Sequence, residues 1–108
     1  MKKIITILAF LCAALTTIYA ERVVLGAEQT KQYLPLLKGK RVALLSNHTG
    51  IVIQGKDTIH TLDLLLKHGV EVTAIFSPEH GFRGTAREGE HVASSVDDKT
   101  GIPILSLY

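Results

Sequence analysis

Two short apolar runs constrain the fold of this chain more than any other feature. Val42-Ala43-Leu44-Leu45 follows Lys40-Arg41 and stops at Ser46-Asn47-His48-Thr49-Gly50. The second run, Val70 to Phe76, follows Gly69 and stops at Ser77-Pro78. Both have strand length, aliphatic or β-branched content and turn-forming residues at their ends, so each reads as a buried strand. Between them Ile59, Leu62, Leu65 and Leu66 recur at helical spacing. Asp57 or Thr58 is suited to cap that helix, Gly69 to end it, and Lys67 and His68 to meet the negative end of its dipole. Strand, helix, strand is a βαβ unit, whose strands pair in parallel and are normally covered on both faces. Ile102 to Tyr108 is a third strand candidate, and Ala27 to Leu37 has helical spacing that Pro35 breaks or bends. The class expected is α/β with a parallel sheet. Two or three strands and one good crossover helix do not cover both faces, so these residues are expected to form the N-terminal part of a larger α/β protein.

The first twenty residues stand outside that pattern. Lys2 and Lys3 precede an apolar stretch from Ile4 to Ile18, and Tyr19-Ala20 precedes the charged Glu21-Arg22. This is the layout of a secretory signal peptide cleaved after Ala20. The stretch is short of the roughly 20 residues a spanning helix needs, so no stable membrane span is expected after cleavage. The product is expected to be periplasmic or secreted. Cys12, the single cysteine, lies inside the leader, and the bulky Leu11 before it makes a poor lipoprotein box. Residues 21–108 would then have no disulfide, no thiol nucleophile and no cysteine zinc site. The leader also takes Lys2 and Lys3 from the twelve basic side chains, which leaves ten against ten acidic ones. A neutral mature chain offers no basic surface for nucleic acid.

In open parallel sheets, ligands bind at the carboxyl ends of the strands. Two polar loops leave such ends here, Ser46 to Gly50 and Ser77 to Gly84. On neighbouring strands they would converge on one crevice. Glu79 could serve there as a general acid or base if desolvation raises its pKa. Arg83 suits a bidentate contact with a substrate carboxylate. Asn47 both donates and accepts, which suits sugar hydroxyls or an acetamide. Each residue has a plainer role open to it. Glu79 and Arg83 can pair with one another, and His48 and His80 can be surface histidines. His60 is expected on the solvated helix face and His68 at the helix end. Glu88, Glu90, Asp97 and Asp98 are expected to be solvated loop charges. A metal held by His48, Glu79, His80 and His91 is the main rival, but no compact ligand signature is present. Adjacent Glu79 and His80 would also point to opposite sides of an extended segment. There is no GxGxxG, GxxxxGK[ST] or GxSxG motif. No cofactor is required.

The runs Leu37 to Val42, Ser46 to Gly50, Ser77-Pro78-Glu79-His80-Gly81-Phe82-Arg83-Gly84, Thr100 to Pro103 and Ser106-Leu107-Tyr108 resemble the start of the exo-β-N-acetylmuramidase family, formerly a domain of unknown function. The resemblance runs from about Gly26 to the end. It implies a Rossmann-like N-terminal catalytic domain with crossover helices, of which residues 21–108 would be the first part. The remainder of that domain and a smaller C-terminal domain are then expected. It also implies removal of N-acetylmuramic acid from the non-reducing end of peptidoglycan fragments, so the partners expected are muramic-acid glycans. The family's proposed catalytic glutamate falls on Glu79, with His80 beside it. Asn47, His48, Thr49 and Arg83 fall in its cleft motifs as binding or supporting residues. His48 stands where many members have proline. A second carboxylate, about 5–5.5 Å away for retention or roughly 6.5–9.5 Å for inversion, is not identifiable. An exported module that binds peptidoglycan sugars without cleaving them, or an inactive fragment, is the alternative.

Overall fold

The computed structural model describes residues 1–7, 21–78, 81–84 and 93–107. A 3-10 turn at Gly26–Glu28 leads into helix α1 (Thr30–Leu37). Strand β1 (Arg41–Leu45) follows, then β2 (Ile51–Gln54), β3 (Asp57–His60), helix α2 (Thr61–Lys67) and β4 (Glu71–Ser77). The last elements are β5 (Ser95–Val96) and β6 (Pro103–Ser106). Residues 2–7 are helical, and the rest of the apolar leader lies outside the described residues. Among those described, no helix is long and apolar enough to cross a membrane.

The main sheet has the order β1-β4-β6-β5. β1, β4 and β6 are parallel, as expected for an α/β chain, and the two-residue β5 adds an antiparallel edge. The register places Leu44, Ile75 and Ile104 side by side across three strands. Ile75 and Ile104 belong to the core with Leu62, Leu65, Val70, Val72 and Phe82. Tyr33, Leu34 and Leu37 of α1 pack onto the same cluster, as do Val42 and Leu44. Both helices therefore cover one face of the sheet. Neighbours on the other face are Leu45, Phe76 and Leu105, of which Leu45 and Leu105 are exposed.

A bulge keeps this alternation in phase. Val42 pairs with Val72, but the next residue, Ala43, pairs with Ala74, which leaves Thr73 as an extra residue in β4. An inserted residue of this kind bends the strand locally and leaves the pairing on either side intact. Without it, Val72 and Ile75, three positions apart, would lie on opposite faces.

Three sequence expectations are corrected here. β1 is a strand but not a buried one: it ends the sheet order, so Val42 and Leu44 are half-buried under the helices and Ala43 and Leu45 are exposed. Asp57 and Thr58 do not cap a helix; they open β3, which pairs antiparallel with β2 through a two-residue turn at Gly55-Lys56. Gly55 has φ +63°, the left-handed conformation that such tight hairpins favour at this position. The helix begins later, at Thr61, and Ile59 of the supposed helical stripe lies in the strand. Pro35 does not end α1: it sits inside it, and the helix runs two residues further.

The other end of α2 matches the expectation. His68 is the C-cap and Gly69 follows at φ +74°. The Gly69 amide donates to Leu66 O at 3.0 Å and the Val70 amide to Leu65 O at 3.0 Å. Those two bonds form a Schellman cap, completed by Val70 and Leu65 meeting in the core.

Candidate functional site

Parallel pairing of β1 and β4 brings their two C-terminal loops together. The amide of Ser46 still donates to Phe76 O at 3.0 Å, so the first loop leaves the sheet beside the second. The first loop is a tight turn in which Gly50 N donates to Asn47 O at 3.1 Å. Asn47 braces that turn from inside. Its Oδ1 accepts from the Thr49 amide at 3.0 Å and from Thr49 Oγ1 at 2.7 Å, the side-chain turn Asn favours. The Asn47 amide nitrogen keeps no partner among the described residues. Gly50 has no room for a side chain: a Cβ there would lie 2.1 Å from Ser46 Oγ and 3.3 Å from Asn47 O.

The corner between β3 and α2 locks onto this turn. Gly50 O accepts from the Thr61 amide at 2.8 Å and from Thr61 Oγ1 at 2.9 Å. His60 is not on the solvated helix face as expected. It is the N-cap of α2, half-buried, with Nδ1 accepting from the Leu62 amide at 3.2 Å. Its Nε2 lies 2.8 Å from Asn47 O.

The second loop is anchored by Phe82 and Arg83. Phe82 is 3% exposed and its ring meets His60 edge-to-face, with centroids 4.6 Å apart. The Arg83 guanidinium carbon lies 4.9 Å from the Phe82 ring centroid. Arg83 Nε and Nη2 donate to the two carboxylate oxygens of Asp97, each at 2.9 Å, the bidentate pairing that fixes a guanidinium best. Nη1 reaches Asp63 Oδ2 on α2 at 3.4 Å, and Lys99 Nζ meets the same oxygen at 2.9 Å. Thr100 Oγ1 donates to Asp97 Oδ2 at 2.6 Å. The side chain expected to hold a substrate carboxylate thus already holds two protein carboxylates. Asp97 departs from expectation too, being 3% exposed rather than solvated; Asp98 is exposed.

These charges shift one another. The hydrogen bond from Arg83 holds the Asp97 carboxyl below the usual carboxylate range, against the opposing effect of burial. At Asp63 burial pushes upward, but hydrogen bonds from Lys99 and Arg83 and their charges together leave it lowered. The Asp97 hydrogen bond raises Arg83 further above its ordinary value, although burial opposes it. Both carboxylates are therefore firmly ionised and unsuited to deliver a proton.

The two loops meet at His48 and Gly84. Gly84 has φ +73°, and a Cβ built there would lie 2.9 Å from His48 Cγ. Asn47, His48, Thr49 and Arg83 are thus brought to the carboxyl ends of neighbouring strands. Glu79 and His80 lie outside the described residues, as do Glu88, Glu90 and His91. On either side of Glu79 and His80, Ser77 is buried in the sheet and Gly81 is buried at φ +72°. Among the described residues no group of three or more potential ligands could hold a metal. A concavity of about 430 Å³ flanks the Arg83 clamp, lined in part by Phe82, Val96, Lys99 and Ile104. A larger hollow of about 790 Å³ lies between α1 and the turn after α2, and is lined by none of the loop residues.

Comparison with known proteins agrees with this architecture. The family described as "Exo-beta-N-acetylmuramidase NamZ, N-terminal" matches residues 42–108, more than half of the chain. The chain belongs to the NamZ N-terminal family. The peptidoglycan beta-N-acetylmuramidase NamZ of Bacillus subtilis (strain 168) is 43% identical over 77 residues, which cover 70% of this chain and 18% of that protein. Two crystal structures of DUF1343 family proteins from Bacteroides fragilis NCTC 9343 share the fold. One is 53% identical with a TM-score of 0.62, over 80% of this chain and 21% of its own. The other is 36% identical with a TM-score of 0.58, over 75% and 19%. The chain thus spans about a fifth of the length of these NamZ and DUF1343 relatives.

Proposed function

We propose that this chain is the N-terminal part of an exported exo-acting glycoside hydrolase that releases N-acetylmuramic acid from the non-reducing end of peptidoglycan fragments. The observation that carries the reading is the meeting of two polar loops at the carboxyl ends of adjacent parallel strands, in a chain 43% identical to a peptidoglycan muramidase. Glu79, in the second loop, acts as general acid/base and protonates the leaving glycosidic oxygen, with His80 supporting it. Asn47 offers its amide nitrogen to a sugar hydroxyl or acetamide, because its oxygen is occupied by Thr49. Thr49 and His48 complete that wall. Arg83 acts chiefly as the loop's anchor, because Asp97 and Asp63 occupy all three of its nitrogens. Residues 1–20 direct export and are removed after Ala20, in keeping with a cell-wall substrate and a role in its recycling.

The test is release of the chromophore from a chromogenic β-N-acetylmuramide by the full-length protein and by its Glu79→Gln variant. Loss of the general acid lowers kcat by about 10²- to 10⁴-fold while substrate still binds. Unchanged turnover in the variant overturns the role of Glu79. Binding by the wild type without any release makes the protein a peptidoglycan-sugar binding module instead.

A further inference from the structure

His60 occupies a position that the proposed chemistry does not use and the sequence pattern does not reveal. One imidazole touches three elements. Nδ1 accepts the Leu62 amide at the start of α2, Nε2 lies 2.8 Å from Asn47 O in the first loop, and the ring packs against Phe82 in the second. The two hydrogen bonds fix the tautomer. An amide hydrogen can be accepted only by an unprotonated nitrogen, so Nδ1 is bare. Nε2 therefore carries the hydrogen and donates it to the Asn47 carbonyl. Asn47 lies 13 residues before His60, and Phe82 lies 22 after it.

The surroundings are built for that approach. Gly50 presents no side chain toward this corner: a Cβ there would lie 3.5 Å from His60 Nε2. Thr61, the next residue, bonds Gly50 O twice. With both nitrogens engaged, His60 is not a group that exchanges protons with a substrate. It can act only through the loops that it holds.

We propose that His60 is a positioning residue that fixes the Asn47–Gly50 turn against the Phe82–Gly84 segment, and so sets the distance between the two walls of the crevice. The activity arm of this proposal rests on the muramidase reading and on Asn47 meeting the sugar; the structural arm does not. Two variants separate the functions of the ring. His60→Asn keeps an oxygen acceptor for the Leu62 amide, since Asn is among the best N-caps, but its shorter side chain does not reach Asn47 O. His60→Gln keeps an amide nitrogen at about the reach of Nε2 and gives up the cap.

The experiment uses the full-length protein. His60→Asn is expected to melt close to wild type while KM for the chromogenic muramide rises roughly tenfold, the equivalent of one lost hydrogen bond. His60→Gln is expected to recover part of that KM despite a lower melting temperature. In amide NMR spectra, His60→Asn is expected to shift the signals of Thr49 and Gly50 together with those of Gly81 to Gly84. A His60→Asn protein with unchanged KM and unmoved amides in either loop overturns the proposal and leaves His60 a helix cap. Failure of both variants to fold makes His60 a structural residue and also overturns it. If the wild type releases no chromophore, the muramidase reading fails by itself, and the NMR comparison alone decides the role of His60.

Discussion

The loop after β1 is held by neutral hydrogen bonds, and the loop after β4 by charges. In the first, Asn47, Thr49, Gly50, His60 and Thr61 form a closed set of amide, hydroxyl, carbonyl and imidazole contacts. In the second, Arg83 and Lys99 balance Asp63 and Asp97 over the Phe82 ring. The neutral set keeps its form across a wide range of salt. The ionic set is tied to the protonation of two carboxylates, and its most exposed member is open to screening. Two adjoining loops, which touch through His60 against Phe82, are therefore held by interactions that respond to different variables.

The largest separation should come from Asp97→Ala. It leaves the Arg83 guanidinium, 30% exposed, without its bidentate partner and costs roughly 3 kcal/mol. Urea unfolding of the full-length protein measures the loss, and the amide signals of the first loop should stay in place. Acid comes next. The native carboxyls of Asp97 and Asp63 lie below their unfolded values, so their stabilising contribution is complete above about pH 4. It disappears as pH falls through their native values. Hydrogen exchange followed from pH 5 downward should show the Gly81–Gly84 amides losing protection as these two carboxyls protonate; protection that persists through that range would break the ionic account of the second loop. Gly50→Ala attacks the first loop alone, forcing Ser46 Oγ aside and costing about 1–2 kcal/mol. That loss should be the same at low and high salt. Lys99→Ala is the mildest change, because its side chain is 66% exposed and exposed pairs contribute about 0.2–1 kcal/mol. Its small effect should vanish in about 1 M salt.

How far the sequence announces this arrangement depends on the range of the interaction that makes each part. β1, β4 and the end of α2 rest on local periodicity and on Gly69, and all are legible. The meeting of the two loops follows from parallel pairing, which the βαβ pattern implies. The β2–β3 hairpin has a local signal as well, Gly55-Lys56 shortly after the β-branched run Ile51-Val52-Ile53, but Asp57 and Thr58 also fit a helix cap and mask it. His60 and Asp97 are different. Their local contacts, His60 with the Leu62 amide and Asp97 with Thr100, are of kinds that surface residues also make, and the partners that bury them lie 13 and 14 positions away and are brought up only by the fold. A histidine before a leucine-rich helix and an aspartate in a polar loop have ordinary solvated roles, and only packing against Phe82 and Arg83 gives them others.

The bulge in β4 also bears on how the chain tolerates changes of length. Pairings on both sides of Thr73 are already those of a regular ladder, so deletion of Thr73 would remove the kink and leave Val72, Ile75 and Ser77 on their faces. Loss of a residue further along β4 would instead invert every side chain that follows, up to the loop that carries Glu79. Thr73 is the position at which this strand can be shortened by one residue without displacing the loop that follows it.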